Sequence, residues 1–239
     1  RVNPFTPLGQ RLDREEEMDA IDLPDARYAR VLAHLSRVNL VTLAQRPTLS
    51  FVNTIMDLTS TDSRPLRLLD VGFGHGDMLR AIARLATRRG RAVELVGVDL
   101  NPRSEAAART ATDPSLTISW ITGDYRDLAG QGWDMVVSSL VTHHMSDDQR
   151  RAFLRFMEEQ SRCGWMVNDL HRQRLPFAGY PLLASLLLVD PIVRRDGQLS
   201  VGRSFRADEW RAMLADAGID GATVRRWFPY RLCVERIRR

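Results

Sequence analysis

The sequence predicts an α/β chain built on a mostly parallel, seven-stranded sheet that ends in an antiparallel hairpin. From Leu66 onward, short β-rich apolar runs alternate with stretches of helical periodicity, the pattern of parallel strands joined by right-handed crossovers. The last two runs, Thr223 to Phe228 and Tyr230 to Ile237, are joined so tightly that they must be antiparallel neighbours. The 239 residues, 44% of them hydrophobic, suit one substantial core better than two.

The elements follow in order. Leu32, Leu35, Val38, Val41 and Leu43 recur at helical spacing, and the pattern breaks at Arg46-Pro47. Two helices between Asp25 and about Leu58 are therefore expected, so that residues 1–60 form a helical cap on a main domain of residues 61–239. Strands are predicted at Leu66 to Val71, Val93 to Asp99, Thr117 to Thr122 and Trp133 to Ser138, with helices at Asp77 to Thr87 and Ser104 to Ala111. Asp147 to Ser161 reads as a helix, Trp165 to Asp169 as the fifth strand, and Ala207 to Ala217 as a helix closed by Gly218. The insertion between strand five and that last helix, about 173–205, is longer than a crossover needs. Its leucine-rich stretch, Pro181 to Val189, is expected either to cover a substrate or to form a core or homodimer contact.

Several function classes recede on composition. The +4 charge comes from 34 arginines interspersed with 30 acids, not from a basic stripe, so nucleic-acid binding is not expected. Cys163 and Cys233 form no C-x-x-C pair and read as small hydrophobes. Phe177 to Val189 is too short and too broken to span a bilayer. Arg1 does not open a signal peptide, and the absence of lysine suggests a GC-rich coding background. A cytoplasmic, bacterial protein is the expectation.

The chemistry concentrates at strand ends. Asp70-Val71-Gly72-Phe73-Gly74-His75-Gly76-Asp77 is a strand running into a glycine-rich turn that opens a helix, where glycines permit a sharp turn and close approach to a ligand. Asp77 stands where a dinucleotide fingerprint wants its third glycine, so NAD loses support. Asp70 suits a cationic, amino-acid-bearing ligand better than a pyrophosphate. Asp99 ends the second strand, placed to hold a ribose diol, and Asp124 follows the third, able to accept from an adenine amino group.

This ordered set, with Trp133-Asp134-Met135-Val136-Val137, resembles motifs I to IV of class I S-adenosylmethionine-dependent methyltransferases. The resemblance covers Leu66 to the C-terminus. It implies a Rossmann-like sheet, S-adenosylmethionine as cofactor, its methionine part at Asp70, Gly72, Gly74 and Gly76, its ribose at Asp99, and its adenine at Asp124. Leu100, Tyr125 and Ser138 complete the candidate cofactor set.

The loop after the fourth strand, Ser138-Ser139-Leu140-Val141-Thr142-His143-His144-Met145, should face the transferred methyl group. An imidazole can take a phenolic proton near neutral pH, which makes His143 and His144 candidate bases. Helix capping and cofactor-pocket lining are their plainer roles. No acid stands near them at metal-ligand spacing, so no metal is expected. His171, in Asn168-Asp169-Leu170-His171-Arg172, is a competing base, and Asp169 or Arg172 could orient a substrate hydroxyl or carboxylate. With Asp196-Gly197-Gln198-Leu199-Ser200-Val201, these residues resemble bacterial quinone-type and polyketide-tailoring methyltransferases. The resemblance implies O-methylation of a small, apolar, phenolic or polyketide-like molecule. Carbon or nitrogen methylation, or a non-catalytic cofactor-binding protein, are the alternatives.

Overall fold

The computed structural model describes residues 6–19 and 23–238; the parts of the expected helical cap at 1–5 and 20–22 lie outside them. Strands β1 (Leu66–Val71), β2 (Val93–Asp99), β3 (Ile118–Thr122), β4 (Trp133–Ser139) and β5 (Ser161–Leu170) are parallel, and β6 (Thr223–Trp227) and β7 (Arg231–Ile237) close the sheet as the antiparallel pair. The order is β3-β2-β1-β4-β5-β7-β6. Strand order therefore reverses between β1 and β4, and a crevice opens at their carboxyl ends, the usual ligand position in such sheets.

Alternation along the strands divides the core into two layers. Leu68, Met135, Met166 and Cys233 face helices α2 (Arg46–Leu58) and α3 (Asp77–Arg88) through Phe51, Val52, Ile55, Leu79 and Ile82. Leu69, Val136, Val167 and Val234 face α5 (Asp147–Gln160) and α8 (Ala207–Ala217) through Phe153, Leu154, Met157, Trp210 and Leu214. Helix α1 (Asp25–Val41) lies over α4 (Pro102–Ala111) and α7 (Pro191–Arg203). The cysteines are free, Cys233 buried and Cys163 half-buried. No described helix is long and apolar enough to cross a membrane.

Two segments differ from the sequence expectation. Strand β5 begins four residues early because the chain passes from the end of α5 straight into the sheet, pairing Ser161 with Trp133 before a register shift. The insertion is a helical hairpin, α6 (Arg174–Leu186) followed by α7. Gly197 and Gly202 lie inside α7, where a Cβ would stand 2.1 Å from the Tyr180 ring and 2.4 Å from Leu12, so both positions need glycine. The leucines that suggested an apolar cover face outward: Leu182, Leu186 and Leu188 are 66%, 72% and 84% exposed. They give no support to an apolar substrate.

At the opposite edge of the sheet, buried Asp134 receives both terminal nitrogens of Arg64 at 2.7 Å, the backbone N–H of Arg67 at 2.9 Å and the Arg162 guanidinium. It thereby joins β1, β4 and β5 where they start. Both arginines are partly exposed and can return to water, so Asp134→Ala should cost about 2–3 kcal/mol, mostly from lost charge-assisted hydrogen bonds. Calorimetry should find the melting temperature lower by about 4–10 °C; an unchanged value would show that the cluster does not hold the sheet edge.

Candidate active site

The loop after β1 is shaped by what surrounds it. Gly72 has φ +78 and Gly76 has φ +74; a Cβ at the first would meet Val141 Cγ2 at 2.3 Å, and at the second the Trp120 ring at 2.4 Å. The loop is thus wedged between the chain after β4 and the β3 side of the sheet, in conformations that glycine alone adopts freely. Gly74, also left-handed, has only Leu32 near its open face, at 3.8 Å, which leaves backbone accessible to a ligand.

Asp70 lies beneath this turn. It is 2% exposed, its Oδ2 has no hydrogen-bond partner, and burial together with the charges of Asp77 and Asp99 pushes its carboxyl up to about 8. A buried carboxyl with an unused oxygen lacks a donor or a cation, and the ammonium-bearing, sulfonium cofactor implied by the motifs fits that need.

Asp99 accepts from Gly74 N and Asn101 N, each at 2.9 Å, and from the Ser104 hydroxyl, so it ties the β2 end to the glycine turn. The apolar Leu100 beside it is 74% exposed. Asp124 accepts from Arg126 N at 2.9 Å and pairs with the exposed Arg126 guanidinium, while Tyr125 packs edge-on against Phe153 and Phe156. Ser138 is buried and donates to Val71 O at 2.8 Å, fastening β4 to β1 at the crevice.

The chain leaving β4 turns at Leu140, a non-glycine residue at φ +62. Such strain persists only where surrounding structure imposes it; here Leu140 N donates to Asn168 O, and the short helical turn 142–144 follows. That turn is clamped by Asp169 at the end of β5, which accepts from Thr142 Oγ1 at 2.5 Å, His143 N at 3.2 Å and His143 Nδ1 at 2.8 Å. The bond fixes the His143 ring and turns Nε2 toward Glu16, 3.6 Å away, an ion-pair distance longer than a hydrogen bond. His144 stacks on His143 with centroids 4.3 Å apart, its Nε2 lying 3.8 Å from Glu16.

Electrostatics follow from this geometry. Burial alone would lower His143, but the charge and hydrogen bond of Asp169, joined by Glu16, raise it to about 9. Burial would likewise raise Asp169 and Glu16, yet the imidazolium and their hydrogen bonds hold both below the usual carboxylate range. The raised His143 contributes stability that is complete below about pH 6.5 and lost as pH climbs through 9. The depressed acids contribute stability that is lost as pH falls below about 4.

Glu16 escaped the sequence reading because it stands 127 residues before His143 and its only local signal is an acidic run. In the fold it is 5% exposed and accepts from Ser200 Oγ at 2.7 Å. Ligand atoms of Glu16, His143 and His144 lie within 4.8 Å of one another, a donor set of the type that holds divalent cations. The expectation of no metal rested on the adjacency of the two histidines and on the lack of an acid cluster at ligand spacing in the sequence; Glu16 reaches them from a distant part of the chain.

Asp169 therefore orients an imidazole. Arg172 is paired with Glu209 at 2.6 Å and bonded to the carbonyls of Leu8 and Ser204, so its guanidinium is committed to structure. His171 bonds Gln173 at 3.0 Å, and burial and the charges of Arg226, Arg206 and Arg172 lower it; the structure does not join it to the Glu16–His143–His144 cluster.

Residues 68–164 match a family model described as a methyltransferase domain. No curated protein sequence matches the chain. Among solved structures, human N-acetylserotonin methyltransferase with S-adenosylmethionine aligns at TM-score 0.64 and 18% identity, covering 95% of this chain and 60% of that one. The plantazolicin methyltransferase with S-adenosylhomocysteine aligns at 0.60 and 13%, covering 87% and 93%. Magnesium protoporphyrin IX methyltransferase from Synechocystis PCC 6803 aligns at 0.52 and 14%, covering 82% and 81%.

Asp70 yields a paired prediction. In Asp70→Asn, S-adenosylhomocysteine should bind at least about tenfold more weakly by calorimetry, equivalent to ~1.4 kcal/mol. The ligand-free variant should melt at or above the parent at pH 8, because a buried carboxylate with an idle oxygen has been removed. In the parent, affinity should rise between pH 6 and 8 as Asp70 ionises toward its value of about 8. Equal affinity in parent and variant at both pH values would remove Asp70 from the cofactor site.

Proposed function

We propose that this chain is a class I S-adenosylmethionine-dependent methyltransferase that methylates the hydroxyl of a small phenolic molecule, a reading supported by the methyltransferase-domain match over residues 68–164 and by the sheet it shares with the structural neighbours. S-adenosylmethionine, when bound, supplies an electrophilic methyl group on a sulfonium. Gly72, Gly74 and Gly76 receive its methionine part, Asp70 balances its positive charge, and Asp99 and Asp124 accept from its ribose and adenine.

The observation that carries the reading is His143. It stands where the loop after β4 meets the glycine turn through Val141, and Asp169 holds its Nδ1–H so that Nε2 is the proton acceptor. Two carboxylates set its pKa at about 9, close to the ~10 of a phenol. A base of that strength takes a phenolic proton with little loss; an aliphatic hydroxyl, a much weaker acid, would give up its proton only as the methyl arrives. His144 lies against it and is partly exposed, at 29%. Alignment of the acceptor oxygen with the methyl group supplies much of the remaining acceleration. Neighbours named for N-acetylserotonin, plantazolicin and magnesium protoporphyrin IX are compatible with this reading but do not select it.

Incubation with methyl-labelled S-adenosylmethionine and a panel of phenols should give aryl methyl ethers; label on ring carbon, or no turnover with any phenol, would overturn the proposal. His143→Ala should reduce kcat by about 10²–10⁴, while His171→Asn should stay within about threefold. The base must be neutral to act, so kcat/KM should rise with pH toward a limb near 9. Glu16→Gln should shift that limb downward, since one of the raising charges is gone. A limb that stays fixed in Glu16→Gln would deny Glu16 its positioning role.

A further inference from the structure

Arg231 is a buried cation without a counter-ion among the described residues. It opens β7, paired in register with Leu170 of β5 and Trp227 of β6, and is 3% exposed. Its Nη1 has no hydrogen-bond partner, and Nη2 reaches only Asn39 Oδ1, at 3.5 Å. Among the described residues no carboxylate lies within ion-pair distance of it. Arg172 and Arg150, equally buried, are paired with Glu209 and Asp147. A guanidinium is not neutralised by giving up its proton as a lysine would be, so burial without an anion leaves an uncompensated charge.

The position of this charge indicates what completes it. Cys233, two residues on along β7, faces the layer containing α2 and α3, and strand alternation sends Arg231 to the same side. The charges that act on it belong to Asp169, which orients His143, and to Asp77, the first residue of α3 after the glycine turn; the Tyr180 hydroxyl of α6 is a further neighbour. Asn39, near the end of α1, is the polar contact from above. Arg231 thus stands at the carboxyl edge of the sheet, where β7 begins beside the end of β5, with a planar pair of donors suited to two-point recognition of a carboxylate.

We infer that Arg231 anchors a carboxylate carried by a ligand of the methyl-transfer crevice. The inference rests on the methyltransferase reading only for the identity of the two ligands that could bring one: the amino-acid end of the cofactor, or a carboxyl group on the acceptor. The sequence reading looked to Arg172 for this role; the guanidinium the fold leaves open is Arg231.

Calorimetry on the whole chain separates the sources. The first pair of probes is S-adenosylhomocysteine and 5′-methylthioadenosine, which lacks the amino-acid end. The second, titrated onto protein saturated with S-adenosylhomocysteine, is 2-hydroxybenzoate and its amide. In Arg231→Gln, preference for the carboxylate-bearing member should fall at least tenfold in one pair, with Arg231→Lys retaining part of it. Loss in the first pair assigns the anchor to the cofactor, and loss in the second to the acceptor. Discrimination equal to the parent's in both pairs overturns the inference. Melting temperature guards against misfolding: removal of an unpaired buried charge should leave it unchanged or raise it, whereas a clear fall with parallel weakening of all four probes would mean a structural role and also overturn it. No turnover is measured, so failure of the hydroxyl reading would leave these constants unaffected.

Discussion

The carboxyl edge of the sheet is organised by one buried pair, the Asp169 carboxylate and the His143 imidazole 2.8 Å apart. Asp169 is fixed because β5 is gripped on both sides, by β4 in parallel and by β7 in antiparallel register. From that position it gathers the Thr142 hydroxyl and the His143 amide as well as the ring. The strained turn at Leu140, the contact of Val141 with Gly72 and the aim of His143 Nε2 are all consequences of holding this turn against β5. Removal of one partner of such a pair leaves the other as a buried charge, which is far more costly than the pair itself. The site and the local fold therefore depend on the same interaction.

Around that satisfied pair the crevice carries two unsatisfied charges of opposite sign. Asp70 lies under the glycine turn with an idle oxygen, and Arg231 lies at the start of β7 with an idle nitrogen. Each is a local stability defect, and each is positioned where a zwitterionic or charged ligand would meet it. Defects of this kind collect at functional sites because binding, not folding, supplies the missing partner. The charge of Asp77 acts on both, and its carboxylate is already bonded by Gln45 of the α2 cap at 2.8 Å.

The features legible in the sequence were those encoded by local neighbours. The β1 strand and glycine turn could be read because the positive φ angles at Gly72 and Gly76 demand glycine at fixed spacing, and the closing hairpin because one proline separates two strands. Glu16 and Arg231 could not be read, since each acquires its meaning from residues distant in the chain. Helix α7 was obscured for a related reason: Gly197 and Gly202 signal flexibility locally, but the fold uses their lack of a side chain to seat Tyr180 and Leu12. The leucines of α6 show the converse, an apolar run whose outward direction no periodicity argument captured.

The most direct test is to follow the side-chain nitrogens of His143 by NMR across neutral and alkaline pH in the ligand-free protein. Both nitrogens should be protonated at pH 7, with a midpoint near 9 that falls when Asp169 is replaced by Asn. A ring already neutral at pH 7, or a midpoint indifferent to Asp169, would contradict the carboxylate-tuned base on which the functional account rests.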